Sequence, residues 1–188
     1  MRELSEAFKV HTPKHVIYTS STGVYAAVPS REVDESDMYL ATDPRQILLV
    51  EAETILQKTC EALGSLCSIL RLTGIYGPER VPCLRLLKAE KALPGNANSW
   101  SHLIHRDDIV QAILLCIEKK IQGIFNLSDG NLYHKKELYD VVSLHYKTNT
   151  PIWDMETSMI EGKQISSSKF YQESGFKPKF NHFYDWLK

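Results

Sequence analysis

Three apolar runs in this chain end in the same way, and that repetition constrains its fold more than any other feature. "HVIYTSSTGVY" (His15–Tyr25), "LCSILRLTGIYGP" (Leu66–Pro78) and "GIFNLSDG" (Gly123–Gly130) each start as continuous hydrophobic stretches and finish in hydroxyls and glycines. Continuous apolar runs of this length predict strands buried on both faces, as in parallel sheets. Helical patterns separate them. Residues Pro44–Leu63 predict a helix of five or more turns, with Asp43 as N-cap, Pro44 at the first position and Gly64 closing it. Leu48, Ala52, Ile55, Thr59 and Leu63 form one stripe at helical spacing, and Ile47, Val50 and Thr54 widen it. A helix so broadly apolar is expected to pack on two things, a sheet and a partner subunit.

Further helices are predicted over "PCLRLLKAEKAL", "RDDIVQAILLCIEKK", "KKELYDVVSLHYK" and, as the last short one, "SSSKFYQESGF", stopped by Gly175. "WSHLIH" reads as a short strand, and "PGNANS" and the polar segment Ala26–Asp43 read as loops. Asp107 and Asp108 fall at the positive end of their helix. The alternation gives an α/β chain: a doubly wound parallel sheet with helices on both faces. Ligands of such sheets bind beyond the carboxyl ends of the strands. All three endings are small, hydroxylic or glycine-containing, so they are expected to line one ligand-facing rim. Ordinary turns with local hydrogen bonds are the alternative.

Composition narrows the class of function. The chain of 188 residues has a net charge of −1 and no basic run, so neither nucleic acid nor a membrane surface is an expected partner. No apolar run approaches the roughly 20 residues of a membrane span. The N-terminus "MRELSEAFKVHTPKH" has no hydrophobic leader-like core, which points to the cytoplasm. Cys60, Cys67, Cys83 and Cys116 show no paired spacing and sit among apolar neighbours, so reduced core thiols are expected and a metal site is not. One domain over residues 1–188 is expected, with a core at about 14–130 and substrate-side elements at about 80–105 and 131–188.

"HVIYTSSTGVY", "LRLTGIYGPER", "HLIHRDDIVQAI", "GIFNLSDG" and "SSSKFYQESGFKP" stand in the order found in extended short-chain dehydrogenases. The chain resembles the atypical NAD(P)-dependent epimerase/dehydratases from about Lys14 to Phe180. The resemblance implies a partial Rossmann-like sheet with a small C-terminal α/β substrate subdomain, and NAD or NADP as cofactor. It implies that Ser21 supplies a catalytic hydroxyl to the substrate's reacting oxygen. By the same resemblance Thr19, Ser20, Gly74, Ile75, Tyr76, Gly77 and Pro78 lie at the cofactor, and Thr22, Gly23, His105 and Asp108 at a nucleotide-sugar or related substrate. The Ala26–Asp43 segment becomes a lid, and the Pro44–Leu63 helix the contact of a homodimer.

Two departures stand against it. The family's catalytic tyrosine and lysine align with Arg45 and Leu49; arginine stays protonated near neutral pH and leucine has no polar group. A Tyr-x-x-x-Lys does occur at Tyr184–Lys188, but it follows no serine-bearing strand and reads as coincidence. The glycine-rich turn that seats a pyrophosphate is also absent. The first strand here is expected to be the family's fifth, with its outer edge unpaired. Three readings of function follow: an incomplete nicotinamide-dependent enzyme, a noncatalytic binding or dimerisation module, or the remnant of a truncated gene.

Overall fold

The computed structural model describes residues 1–25, 31–37, 43–89, 91–155 and 162–188. Its elements run α1 (Arg2–Val10), β1 (His15–Ser21), a 3₁₀ turn (Thr22–Val24), β2 (Arg31–Val33), α2 (Pro44–Leu63), β3 (Leu66–Leu72) and β4 (Gly74–Tyr76). There follow α3 (Leu84–Leu87), β5 (Leu93–Asn96), β6 (Trp100–Ser101), β7 (Leu103–His105), α4 (Arg106–Lys119) and β8 (Gly123–Leu127). The chain closes with β9 (Tyr133–His134), α5 (Lys135–Tyr146), β10 (Trp153–Met155), β11 (Lys163–Ile165), α6 (Ser168–Ser174) and α7 (Phe183–Leu187).

The three apolar runs form the main sheet, parallel throughout, in the order β1-β3-β8. Ser21 lies beside Leu72, and Leu72 beside Leu127, so the three strands end level. Alternate residues point to opposite faces. On one face Leu70, Leu72, Phe125 and Leu127 pack with Ile109, Ala112 and Cys116 of α4 and Phe170 of α6. On the other, Ser20 and Arg71 meet Glu53 of α2. Both crossovers step the same way across the sheet, yet α2 and α4 lie on opposite faces. The two therefore have opposite hands, and one is the rare left-handed form, since about 98% are right-handed.

α2 occupies the residues that its caps predict. The Asp43 carboxylate accepts from Arg45 N at 2.8 Å, and Gly64 takes the left-handed φ of 66° that ends the helix. Its buried side is different from the predicted stripe, however: Glu53, Leu56 and Cys60 face the sheet. Leu48, Ala52 and Ile55 line an outer groove with Met1, and Thr59 donates to Ser5 of α1. The misreading has a physical cause, because the inward face is centred on a charged residue that hydropathy assigns to solvent.

Five further differences are local. The helix predicted from Pro82 shrinks to the single turn α3, entered through Cys83 at a φ of 58°. Part of the predicted "PGNANS" loop is strand β5, parallel to β10. "WSHLIH" splits into β6 and β7, which pair with different partners, and α6 is not the last helix because α7 follows. Within Ala26–Asp43, residues 31–33 form β2, parallel to β11, while residues 26–30 and 38–42 of the expected lid lie outside the described residues. Elements within residues 80–105 and 131–188 form, with Tyr76, a second apolar cluster that includes Leu93, Leu103, Tyr133, Val142 and Phe183. All four cysteines are free.

The Glu53–Arg71 pair is 2.7 Å apart at its closest, and both side chains are largely buried. Removing one partner strands the other charge inside the protein. Glu53→Ala is expected to lower the unfolding free energy by about 3–5 kcal/mol in urea titrations; a loss below about 1 kcal/mol, the range of exposed pairs, would contradict this assignment.

Candidate functional site

The rim built by the strand ends is held by its own hydroxyls. Ser20 points toward α2 and donates to Glu53 at 2.5 Å. Ser21 points the other way, and its Oγ accepts from Gly23 N at 3.0 Å, capping the 3₁₀ turn. Thr22 Oγ1 donates to Leu72 O at 3.3 Å, and Thr73 donates to Leu127 O at 3.1 Å, so each strand end is tied to the next. Thr19 is exposed. The opening pattern of hydroxyls is thus partly structural: most of them satisfy backbone groups where the ladder runs out.

Beneath the rim lies a buried polar network that spans all three strands. Arg71 donates through Nε and Nη2 to the Glu53 carboxylate and through Nη1 to Tyr25 Oη at 2.8 Å. Tyr25 donates to Asn126 Oδ1 at 2.8 Å, and Asn126 Nδ2 donates to Ser166 O. Lys163 of β11 donates to Thr22 O at 3.0 Å and Tyr25 O at 2.6 Å, and Gln46 also donates to Tyr25 O. Burial lowers the Lys163 pKa from the usual lysine range. The turn that carries Ser21 is therefore fixed from α2, β3 and β11 together. None of Glu53, Arg71, Tyr25 or Lys163 was singled out from sequence. A lone arginine inside the apolar run "LCSILRL" was the available signal, because a buried charge needs a partner.

The remaining expected site residues divide into two sets. Gly74 opens a cleft, and a Cβ there would come within 2.9 Å of the Leu103 side chain and 3.0 Å of His102 O. Ile75 is half-buried and Pro78 exposed. Gly77 shares two backbone hydrogen bonds with Arg80. Tyr76, His105 and Asp108 instead anchor the C-terminal segment. Tyr76 is fully buried and donates to Phe180 O; the Asp108 carboxylate accepts from Lys179 N at 2.8 Å and Phe180 N at 3.0 Å. His105 Nδ1 accepts from Asp107 N, its ring stacks on Phe180 at 3.7 Å, and burial lowers its pKa. Asp107 is exposed. Arg45 is exposed, whereas Leu49 packs against Val24, Tyr25, Val33 and Ile165. Tyr184 is packed in the second cluster and Lys188 pairs with Asp185, so that tyrosine and lysine are not joined.

The Gly74 cleft has a volume of about 750 Å³. Half-buried Val81, Pro82, Cys83 and Leu84 form its floor, and among the described residues Arg80, Arg85 and Lys88 bring three cations to its wall against one carboxylate, Glu79. Such a cleft suits an anionic ligand with an apolar portion. A smaller cavity of about 280 Å³ beyond β8 is lined by hydroxyls of Ser128, Ser166, Ser167 and Ser168.

Residues 1–128 match the NAD dependent epimerase/dehydratase family, and the chain belongs to that family. Over 181 residues it is 25% identical to Protein YeeZ of Escherichia coli strain K12, which covers 96% of this chain and 64% of YeeZ. A UDP-N-acetylglucosamine 4-epimerase from Methanobrevibacter ruminantium, solved with UDP-N-acetylmuramic acid, superposes with a TM-score of 0.80 at 22% identity. It covers 99% of this chain and 64% of its own. A UDP-glucuronic acid 4-epimerase from Bacillus cereus, solved with NAD, gives 0.78 at 17% identity, over 99% and 65%. At these identities the structures show the Rossmann-like epimerase fold. This chain spans just under two thirds of each relative.

Two residues beyond β8, the Asp129 carboxylate accepts from Tyr133 Oη at 2.6 Å and Asn131 N at 3.0 Å. Burial nonetheless pushes its pKa up to about 6 from 3.8. The folded protein therefore binds this proton more tightly than the unfolded one. The resulting stabilisation is complete below pH 3.8 and lost as pH rises through about 6. Two pKa units correspond to roughly 3 kcal/mol. Asp129→Asn should flatten stability against pH across that window in urea titrations, and an unchanged slope would contradict the burial of this carboxylate.

Proposed function

We propose that the chain carries the substrate side of a nicotinamide-dependent epimerase, dehydratase or reductase acting on a nucleotide sugar or related carbonyl or hydroxyl compound. One observation carries this reading: a cleft with three cations on its wall begins at Gly74, two residues beyond the carboxyl end of β3. A nucleotide sugar has the matching chemistry, with a diphosphate for Arg80, Arg85 and Lys88 and a flat base for the apolar floor. NAD or NADP would lie over the rim at Thr19, Gly74, Ile75, Gly77 and Pro78, with Thr22 and Gly23 toward the substrate. Ser21 would exchange its bond to Gly23 N for one to the substrate's reacting oxygen and steady charge there. Ser20, Tyr76, His105 and Asp108 hold these elements in place from inside. The reading includes one working domain over residues 1–188, a homodimer through α2, and a cytoplasmic setting in which free thiols persist.

A second reading, a noncatalytic binding module, is favoured by Leu49. The position of the family's lysine is filled by a side chain that belongs to an apolar cluster, and Arg45 offers no proton at neutral pH.

Calorimetric titration separates ligand from cofactor. UDP-glucose should bind this chain alone, and Arg85→Ala should weaken it by about tenfold or more, as loss of a charge-assisted hydrogen bond does. NAD should bind weakly, for want of a pyrophosphate-seating turn. No heat with millimolar UDP-glucose, or micromolar affinity for NAD, would contradict the proposal.

A further inference from the structure

Helix α2 and strand β3 run in opposite directions, with one layer of side chains between them. Glu53 meets Arg71 at one end of that layer. From there Cys60 lies about 10 Å further along the helix, and Cys67 about 13 Å back along the strand. Both point into the layer: Cys60 is on the buried face of α2 with Glu53 and Leu56, and Cys67 shares its side of β3 with Arg71. The two cysteines are therefore opposite each other, and their thiols interact side chain to side chain.

The turn that joins them is pinned. Ser65 N donates to Cys60 O at 2.9 Å, Ser65 Oγ to Pro13 O at 2.7 Å, and Leu66 N to Lys14 O at 3.0 Å. A disulfide joins β-carbons about 3.5–4.5 Å apart, so it needs side chains that already touch. The other two cysteines lie elsewhere: Cys116 contacts Ser68 on the far face of β3, and Cys83 packs in the second apolar cluster. Access also differs within the pair. Cys60 is 1% exposed, whereas Cys67 is half-buried, so an external reagent reaches Cys67 first.

We propose that Cys60 and Cys67 are a reversible disulfide site, which fastens the end of α2 to β3 when the protein meets a small-molecule disulfide such as oxidised glutathione. The Cys67 thiolate attacks one glutathione sulfur; the S–S bond of the reagent breaks, and the departing glutathione takes up the proton that Cys67 lost. Cys60 then gives up its proton and attacks the Cys67 sulfur of the mixed disulfide, expelling the second glutathione. Two protein thiols are oxidised by two electrons, and one glutathione disulfide is reduced to two thiols. In a reducing cell the bridge stays open, as transient cytosolic disulfides do. Burial pushes the Cys67 pKa up to about 12, with the neighbouring Cys60 adding to the rise. Closure is therefore slow at neutral pH and quickens about tenfold for each pH unit while thiolate remains the minor form.

The full chain, incubated in glutathione redox mixtures and quenched with an alkylating agent, tests this by intact mass and peptide mapping. The expected product has lost two hydrogens, links Cys60 to Cys67, and reverts with dithiothreitol. Its urea midpoint should lie above that of the reduced protein, because the bridge restricts the unfolded chain. Cys60→Ala should stop at a mixed disulfide carrying one glutathione on Cys67, and Cys67→Ala should leave Cys60 unmodified. A bridge to Cys83 or Cys116 would overturn the proposal. So would a wild-type protein that stops at the mixed disulfide or stays fully reduced, or a bridged form with a lower urea midpoint. None of these outcomes touches the Gly74 cleft, so UDP-glucose binding is tested separately.

Discussion

The ion pair between Glu53 and Arg71 is the constraint on which the carboxyl end of the sheet depends. Neither charge reaches bulk water, so each must be met by the other and by hydrogen bonds to its remaining atoms. Ser20 and Tyr25 meet that need, and Tyr25 passes the connection to Asn126 on β8. A helix, three strands and the turn after β1 are thereby locked in one register by directional bonds. Apolar packing alone, being non-directional, would tolerate sliding.

The alternation of the strand then decides what the hydroxyl-rich ending of β1 can do. Ser20 and Ser21 are neighbours in sequence but face opposite sides of the sheet. Ser20 is committed to the buried network. Ser21 is committed only to an amide two residues away, a bond that a ligand oxygen could replace without unfolding anything. Lys163 and Gln46 hold the carbonyls around it, so Ser21 is presented on a fixed turn. The Gly74 cleft gathers Arg80, Arg85 and Lys88 from a segment with little regular structure that begins two residues beyond β3.

Much of this was legible in the sequence where local chemistry decides. Asp43, Pro44 and Gly64 mark both ends of α2, and the three apolar runs mark the sheet and its rim. The buried face of α2 was not legible, because hydropathy counts Glu53 as solvent-facing and its partner Arg71 lies 18 positions away on another element. The short strands β2, β5, β10 and β11 escaped for a related reason. Each pairs with a segment remote in sequence, and three or four residues carry too little periodicity to announce it. The roles of His105 and Asp108 in gripping Phe180 depend in the same way on a contact some 70 residues along the chain.

The account stands or falls on whether the network acts as one unit. A double-mutant cycle on Ser20→Ala and Tyr25→Phe, read by urea unfolding, tests this directly, because Ser20 on β1 bonds to Glu53 and Tyr25 after the 3₁₀ turn bonds to Arg71, so the two touch opposite partners of the ion pair. Cooperation through the shared pair predicts a coupling energy of about 1 kcal/mol or more. Additive losses, within about 0.3–0.5 kcal/mol, would show two independent hydrogen bonds and contradict the claim that the pair organises the rim.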